Sequence, residues 1–127
     1  MNKTQGHHYT HLCFNVLAWL FAISVGLQVF FAGLALFVDS SNWVTHISFA
    51  RYFSFLPLIM AVLAWRARLT SKTIWRCIGL FGMIIGMFLT AIFSSRIGGL
   101  SALHPVIALM LFWSCAELIR SNVRFSA

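Results

Sequence analysis

The sequence has few acidic residues and little charge of any kind. Of its 127 residues only Asp39 and Glu117 are acidic and 9% are charged, whereas 61% are hydrophobic and the mean hydropathy is +0.90. So little polar surface cannot cover a soluble domain, and the long apolar runs indicate a bilayer as the solvent. Two acidic residues also provide no obvious proton or ion path across a membrane, which argues against a transporter.

Cysteine is scarce, and the familiar catalytic motifs are missing. The three cysteines are odd in number and have no C-x-x-C spacing, so we expect them to be packing residues rather than disulfide or metal sites. The sequence has no nucleophile–base pair and no phosphate-binding glycine loop, which leaves an enzyme with soluble-type chemistry as the least supported class. Its first apolar run is too long for a signal peptide and has no cleavage pattern, so we expect a spanning helix there.

Four apolar segments are long enough to cross a hydrocarbon layer of about 30 Å at about 1.5 Å per residue. We predict spans at about residues 12–38, 43–65, 74–93 and 101–119. These spans would form a single domain, an all-α four-helix transmembrane bundle with up-down-up-down topology.

Basic residues are concentrated on one side of these spans. Because cytoplasmic flanks are enriched in lysine and arginine, we predict that both termini and the middle loop are cytoplasmic, as in a multi-pass protein of the bacterial inner membrane. The net charge of +7 then reflects topology, and we expect the bilayer and a membrane-protein partner or second copy, rather than nucleic acid, as partners. Seven of the nine basic residues lie in the three segments on that side: Lys3, Arg66, Arg68, Lys72, Arg76, Arg120 and Arg124.

Two histidines occupy corresponding positions in the second and fourth spans. His46 and His104 each lie in the first turn of a span, and both spans begin on the same side of the membrane. Spans two and four are diagonal neighbours in an up-down bundle, so the two imidazoles could meet at a central iron. A haem supplies four equatorial nitrogens, so two protein ligands suffice. Zinc or copper is less favoured, because no cysteine or third histidine accompanies the pair and Asp39 is the only acid on that side.

Three further residues are candidates for the same site. Gln28 lies on a small, polar stripe of span one that should face the bundle interior, where it would contact a ligand or form a helix-to-helix hydrogen bond. Arg96 and Arg51 are the outer-side cations that could pair with haem propionates, and Arg96 is favoured because Arg51 need not share the face of His46. The alternative for the histidines is a structural hydrogen bond or interfacial solvation, and for the arginines an interfacial position.

Local signals predict several packing features. Pro57 lacks an N–H and should bend span two near its middle. Asn42 and Ser101 are predicted to cap the N-termini of spans two and four. Span three carries a small-residue face that would allow close approach of another helix, formed by Gly79, Gly82 and Gly86.

Three short patterns resemble parts of haem A synthase. Gly26-Leu27-Gln28-Val29-Phe30-Phe31-Ala32-Gly33 is similar to a glutamine-then-glycine segment of that family. Trp43-Val44-Thr45-His46 and Leu103-His104-Pro105-Val106-Ile107-Ala108 resemble the starts of the second and fourth helices of one of its halves. Haem A synthases have two four-helix halves, each with haem between histidines of its second and fourth helices on the outer side. The resemblance covers one half and implies haem between His46 and His104.

The sequence departs from that family in two ways. The catalytic half of haem A synthase has a glutamate just before the first histidine, where this sequence has Asn42 to Thr45, and no second half is present to hold another cofactor. Both departures argue against oxidation of a haem methyl group, so we do not expect an enzyme. Small bacterial four-helix proteins with a similar glutamine and histidine pair are a closer comparison.

The sequence therefore predicts a membrane protein with a b-type haem ligated by His46 and His104 near the outer face. Bis-histidine ligation leaves no open iron position, which favours electron transfer, or haem or redox sensing, over oxygen chemistry. The alternative is a cofactor-free structural or accessory subunit of a larger membrane complex.

Overall fold

The computed structural model of the chain is almost entirely helical. It describes residues 3–123, apart from the side chains of residues 3–5, 7, 8 and 123. Within that range there is no strand, and a short 3₁₀ segment, Gly98–Ala102, precedes the last helix. The helices are α1 (Lys3–Phe37), α2 (Asn42–Phe53), α3 (Leu56–Arg66), α4 (Ser71–Ile92), α5 (Ser94–Ile97) and α6 (Leu103–Val123).

These helices form a four-helix bundle. Four helical stretches are long and apolar enough to span a membrane: Tyr9–Phe37, Asn42–Arg66, Ser71–Ile92 and Ser94–Asn122. Span one packs against spans two and four, and span three also packs against spans two and four. Spans two and four are therefore diagonal to each other. The predicted all-α transmembrane bundle is confirmed. Its span boundaries differ from the predicted ones by one to three residues, except that span four begins seven residues earlier.

The two ends of the bundle differ in charge. We call the end formed by residues 38–41 and 93–102 the histidine end, and the end formed by the start of α1, the end of α6 and residues 67–70 the basic end. The side chains of Lys3 and Arg124 lie outside the described residues. Five of the basic residues predicted to share one side do lie at the basic end: Arg66, Arg68, Lys72, Arg76 and Arg120.

A closed hydrophobic core occupies the half of the bundle nearer the basic end. Its largest fully buried side chains come from all four spans: Phe14, Phe21, Met60, Leu80, Leu111 and Leu118. Two of the cysteines, Cys77 and Cys115, are buried in the same core, as expected of packing residues. Cys13 is exposed, so the same expectation is wrong for it. At the other end no residue of α2 before Phe53 and none of α6 before Leu111 is buried. The core is therefore much thinner at the histidine end.

Pro57 divides span two into two helices. Helix α2 ends at Phe53, residues 54 and 55 form a turn, and α3 begins at Leu56 with Pro57 in its first turn. Proline has no N–H for the carbonyl four residues earlier, and it fits the first turn of a helix, where that N–H would have no partner. The predicted bend is thus confirmed as a break between α2 and α3.

The turn between spans one and two is organised by Asp39. Its carboxylate accepts a 2.8 Å hydrogen bond from the backbone N–H of Ser41, which lowers the pKa of this carboxyl from its ordinary value. The side-chain amide of Asn42 donates to the carbonyl of Asp39 at 2.9 Å. Asn42 is the first residue of α2, and Ser41 occupies the cap position with no side-chain bond to the helix. The prediction that Asn42 caps span two is therefore wrong, because its amide is engaged by the turn before it.

Ser101 does not cap span four either. It lies in the 3₁₀ segment, and its hydroxyl donates a 2.7 Å hydrogen bond back to the carbonyl of Gly98. A capping hydroxyl must instead accept from an N–H further along the helix. In span three Thr70 does cap α4, since its hydroxyl accepts the N–H of Thr73 at 3.3 Å. The cap explains why α4 begins before the predicted start of span three.

An arginine occupies the position that ends α3. Arg68 has φ of +55°, and the hydrogen bonds from Arg68 N to Trp65 O and from Leu69 N to Ala64 O form a Schellman motif. Glycine is the usual residue at this left-handed position, and a side chain there costs about 1 kcal/mol. Arg68 therefore ends the helix at some cost in backbone strain.

The glycine face of span three does not serve close packing inside the chain. Gly79 and Gly82 are exposed, and an added Cβ at either would meet no atom within 4 Å. Only at Gly86 would a Cβ touch another helix, 3.7 Å from Cδ1 of Ile107. The predicted small-residue contact is thus limited to Gly86, and the surface at Gly79 and Gly82 faces away from the bundle.

Candidate functional site

His46 is fixed to span one by two reciprocal hydrogen bonds. Its ring Nδ1 lies 3.1 Å from the backbone carbonyl oxygen of Gln28, and its own backbone carbonyl accepts a 2.8 Å bond from the side-chain Nε2 of Gln28. Gln28 is buried, with 6% of its surface exposed. Its Oε1 atom has no hydrogen-bond partner among the described residues. The polar stripe of span one thus faces the interior as predicted, and Gln28 joins α1 to α2.

His104 is fixed to span three in the same manner. Its Nδ1 lies 3.0 Å from the carbonyl oxygen of Met87 and 3.2 Å from the hydroxyl of Thr90. Because the Thr90 hydroxyl donates its own proton to Met87 O at 2.8 Å, it is an acceptor towards the histidine. Helix α4 therefore holds the ring of His104, as α1 holds the ring of His46.

These contacts determine where the ring protons lie. A carbonyl oxygen can only accept, so each Nδ1 must carry a proton to form its bond. In a neutral imidazole the other nitrogen, Nε2, then has a free lone pair and can accept a proton or bind a metal. Metal-binding histidines usually show this arrangement, with the second ring nitrogen bonded to a carbonyl or carboxylate.

The two rings lie side by side across the bundle. Their centroids are 6.5 Å apart and their planes are inclined by 50°. They belong to the diagonal spans, so each ring reaches towards the centre from opposite sides. The two histidines predicted to meet are thus brought together, and Gln28 is hydrogen-bonded to one of them, His46.

Aromatic side chains surround His46. Trp43 packs edge-on against it with ring centroids 5.4 Å apart. Deeper in the bundle Phe49 contacts both Phe31 and Phe53, with centroid distances of 5.3 Å in each case. Both histidines are half-buried, and no residue of α2 before Phe53 or of α6 before Leu111 is fully buried. The pair therefore lies between α2 and α6, outside the closed core.

The two predicted arginines are not brought into the site. Arg51 and Arg96 are exposed, and neither guanidinium has a hydrogen bond or ion pair with a described residue. Arg96 belongs to the short helix α5, which precedes the 3₁₀ segment and α6, while Arg51 is in the last turn of α2. They flank the histidine end and do not touch either ring.

Two partners of the site were not predicted from the sequence, Met87 and Thr90. Met87 acts through its backbone carbonyl, which any residue would supply, so no side-chain signal marks it. Thr90 did carry a signal, as a hydroxyl in the otherwise apolar outer half of α4. Among the side chains that the structure describes, which do not include those of His7 and His8, no group of three or more histidine, cysteine or acidic residues could hold a metal ion. Any metal here would therefore depend on the histidine pair and on ligands from outside the chain.

Comparison with known proteins gives a family but no function. No curated protein and no solved structure matches the chain. One family model matches residues 28–96, just over half of the sequence, and its description is a family of unknown function, DUF6220. The matched region begins at Gln28 and includes His46 and Thr90, whereas His104 lies beyond its end. The chain therefore belongs to the DUF6220 family.

Proposed function

We propose that this protein binds one b-type haem between His46 and His104 and uses it for electron transfer or for haem or redox sensing. One observation carries the proposal: two half-buried imidazoles from diagonal spans have ring centroids 6.5 Å apart, and each has its Nδ1 bonded to a backbone carbonyl. A metal about 2 Å from a nitrogen on either side would place two imidazole ring centres about 6 Å apart. The observed 6.5 Å is close to that separation.

The residues present fit a haem better than a bare metal ion. Two neutral imidazoles are too few for a zinc or copper site built from protein alone, but a porphyrin already occupies four positions around its iron. The neighbouring residues are mostly apolar, which suits a macrocycle, and no residue of α2 before Phe53 or of α6 before Leu111 is fully buried. The chain would hold the iron through Nε2 of both histidines, and Gln28 and Thr90 would position the rings.

A haem with both axial positions filled supplies one-electron redox chemistry. The protein's part is to bind and orient the group and to set its surroundings. The carbonyls of Gln28 and Met87 would make the imidazoles more basic ligands and fix their ring planes. Arg51 and Arg96 would reach the haem propionates by a change of side-chain conformation, since both guanidinium groups are exposed near the histidine end and bond no described residue. The resemblance to haem A synthase stays a prediction, and so does membrane orientation.

Substitution of the histidines tests this proposal. Wild-type protein purified from haem-replete cells should show the absorption of a six-coordinate low-spin haem, which shifts on reduction. His46→Ala and His104→Ala should each abolish that spectrum, because each removes one axial ligand. His11→Ala provides the matched control, since it removes a histidine from the opposite end of the bundle and should leave the spectrum intact. A colourless wild type would overturn the proposal.

A second candidate is a cofactor-free accessory subunit of a membrane complex. It is favoured by the exposed glycine surface of α4 at Gly79 and Gly82, where a partner helix could approach closely. It is also compatible with a structural role for both histidines, since each already bonds a neighbouring span. This candidate predicts that Gly82→Leu releases a co-purifying membrane protein, while His46→Ala and His104→Ala leave the association unchanged.

A further inference from the structure

A second polar site lies at the basic end of the bundle, far from the histidine pair. A pocket of about 170 Å³ opens between α1, the turn after α3, the start of α4 and the last turn of α6. At about 30 Å³ per water molecule this volume has room for about five waters, or for one tetrahedral anion with some water. Its polar lining is formed by His11, Asn15, Arg68, Thr70, Thr73 and Asn122.

The lining has the chemistry of an anion site. Each of these side chains carries a hydrogen-bond donor, and none of those that line the pocket is acidic. The hydroxyls of Thr70 and Thr73 bond each other at 3.1 Å, so one of these two protons is already used. The one acidic residue at this end, Glu117, forms an ion pair with Arg120 outside the pocket. Arg66, Lys72 and Arg76 lie at the same end and add to the positive potential around it. A negative ligand is therefore favoured over a neutral or positive one.

Arg68 supports the assignment independently. Its φ of +55° belongs to the left-handed region, in which glycine would end α3 without strain. Helix termination thus gains nothing from the arginine side chain. That side chain lines the pocket, and a guanidinium fork matches the oxygens of a phosphate.

We propose that this pocket binds an anionic phosphate group, either of a phospholipid headgroup or of a soluble phosphate ester. Arg68 would provide the charge, His11 and Asn15 would provide further donors, and the bonded pair of Thr70 and Thr73 would provide one hydroxyl proton. The buried ring of Phe14 forms part of the pocket wall, so the site combines donors with an apolar surface. Basic pockets between spans at the charged end of a membrane protein are a recognised place for lipid headgroups. The site does not depend on haem binding.

Thermal unfolding of the full-length protein in a neutral detergent tests the proposal. Inorganic phosphate, glycerol phosphate and phosphatidylglycerol are added separately, with sodium chloride at equal ionic strength as the reference. We expect at least one of the three to raise Tm by several degrees above the reference, as a ligand that binds only the folded state must. A rise with phosphatidylglycerol alone identifies the lipid as the source, and a rise with the soluble phosphates identifies a free ester. No rise with any of them overturns the proposal.

Substitution of Arg68 separates this site from general charge effects. Arg68→Gly should raise Tm in the absence of ligand, because it relieves the left-handed strain, and should abolish the ligand-induced rise. Arg66→Ala removes an exposed arginine at the same end and should retain that rise. If Arg68→Gly does not fold, Asn15→Leu should reduce the rise instead. Retention of the full rise in Arg68→Gly or Asn15→Leu, or its equal loss in Arg66→Ala, would overturn the proposal.

Discussion

At the scale of single residues, the candidate site is built from backbone acceptors. His46 and His104 bond the carbonyls of Gln28 and Met87 through Nδ1, so their tautomers are set by main-chain atoms of neighbouring helices. The sequence could predict that both histidines share one end of the bundle and that Gln28 faces inward. It could not predict which carbonyls they bond, because a carbonyl is present at every position and only the packing of the helices selects one.

Gln28 allows a prediction about stability. Its Nε2 bond to His46 O contributes about 1 kcal/mol, but burial of its Oε1 without a partner costs about 1–3 kcal/mol. Gln28→Met removes both groups at similar volume, so we expect Tm to stay the same or to rise. Circular dichroism during heating of the detergent-solubilised protein measures it, with Ser24→Ala as a control on the same face. A clear fall in Tm would show that Oε1 does have a partner, such as a water molecule.

At the scale of elements, the main feature of span two is the interruption between helices α2 and α3. Pro57 in the sequence indicated a bend in span two. The structure has two helices there, α2 and α3, separated by residues 54 and 55. The sequence could not predict how α2 and α3 are placed in the bundle, because that follows from packing of α2 on α1 and of α3 on α1 and α4. The sequence also could not predict the side-chain hydrogen bonds of Asn42 and Ser101. Asn42 donates to the carbonyl of Asp39 and Ser101 to that of Gly98, and neither side chain caps the helix that follows.

Removal of the break should affect stability and the site in opposite directions. In Pro57→Ala the new N–H can bond the carbonyl of Phe53, so we expect a continuous helix and a gain in stability. The gain should stay below the roughly 3 kcal/mol that an interior proline costs, because Pro57 already fits the first turn of α3 and its truncation removes a fully buried side chain. Straightening displaces His46 from His104, so the affinity for haemin should fall.

Helicity and Tm from circular dichroism, together with a haemin titration, measure both effects of Pro57→Ala. Pro105→Ala is the control for helicity. That proline lies in the first turn of α6, where few backbone N–H groups have intrahelical partners. Unchanged helicity and unchanged haemin affinity in Pro57→Ala would contradict the role given to the break.

At the scale of the whole molecule, the bundle has one closed half and one open half. The closed half carries the hydrophobic core and the basic end, and the open half carries the histidines. Composition and the four apolar runs were enough to predict the bundle and the order of its spans. They could not predict that the core thins towards the histidine end, because that depends on which apolar residues contact one another.

The charge difference between the two ends leads to a prediction of orientation. We expect the basic end to face the cytoplasm. In a variant with Cys13, Cys77 and Cys115 replaced by alanine, Ser40→Cys should react with a membrane-impermeant maleimide in intact cells. Ser71→Cys should react only after the membrane is opened. The reverse pattern would show that the histidine end is cytoplasmic, and the haem site would then serve an inner-side partner.

The central claim is that two imidazoles on diagonal spans form one haem site. The most direct measurement is a titration of the purified, haem-free protein with haemin, followed by absorption spectroscopy. We predict a six-coordinate low-spin spectrum that saturates at one haem per chain, and its loss in the double variant His46→Ala, His104→Ala. A spectrum that stays that of free haemin, or one that the double variant also gives, would contradict the account.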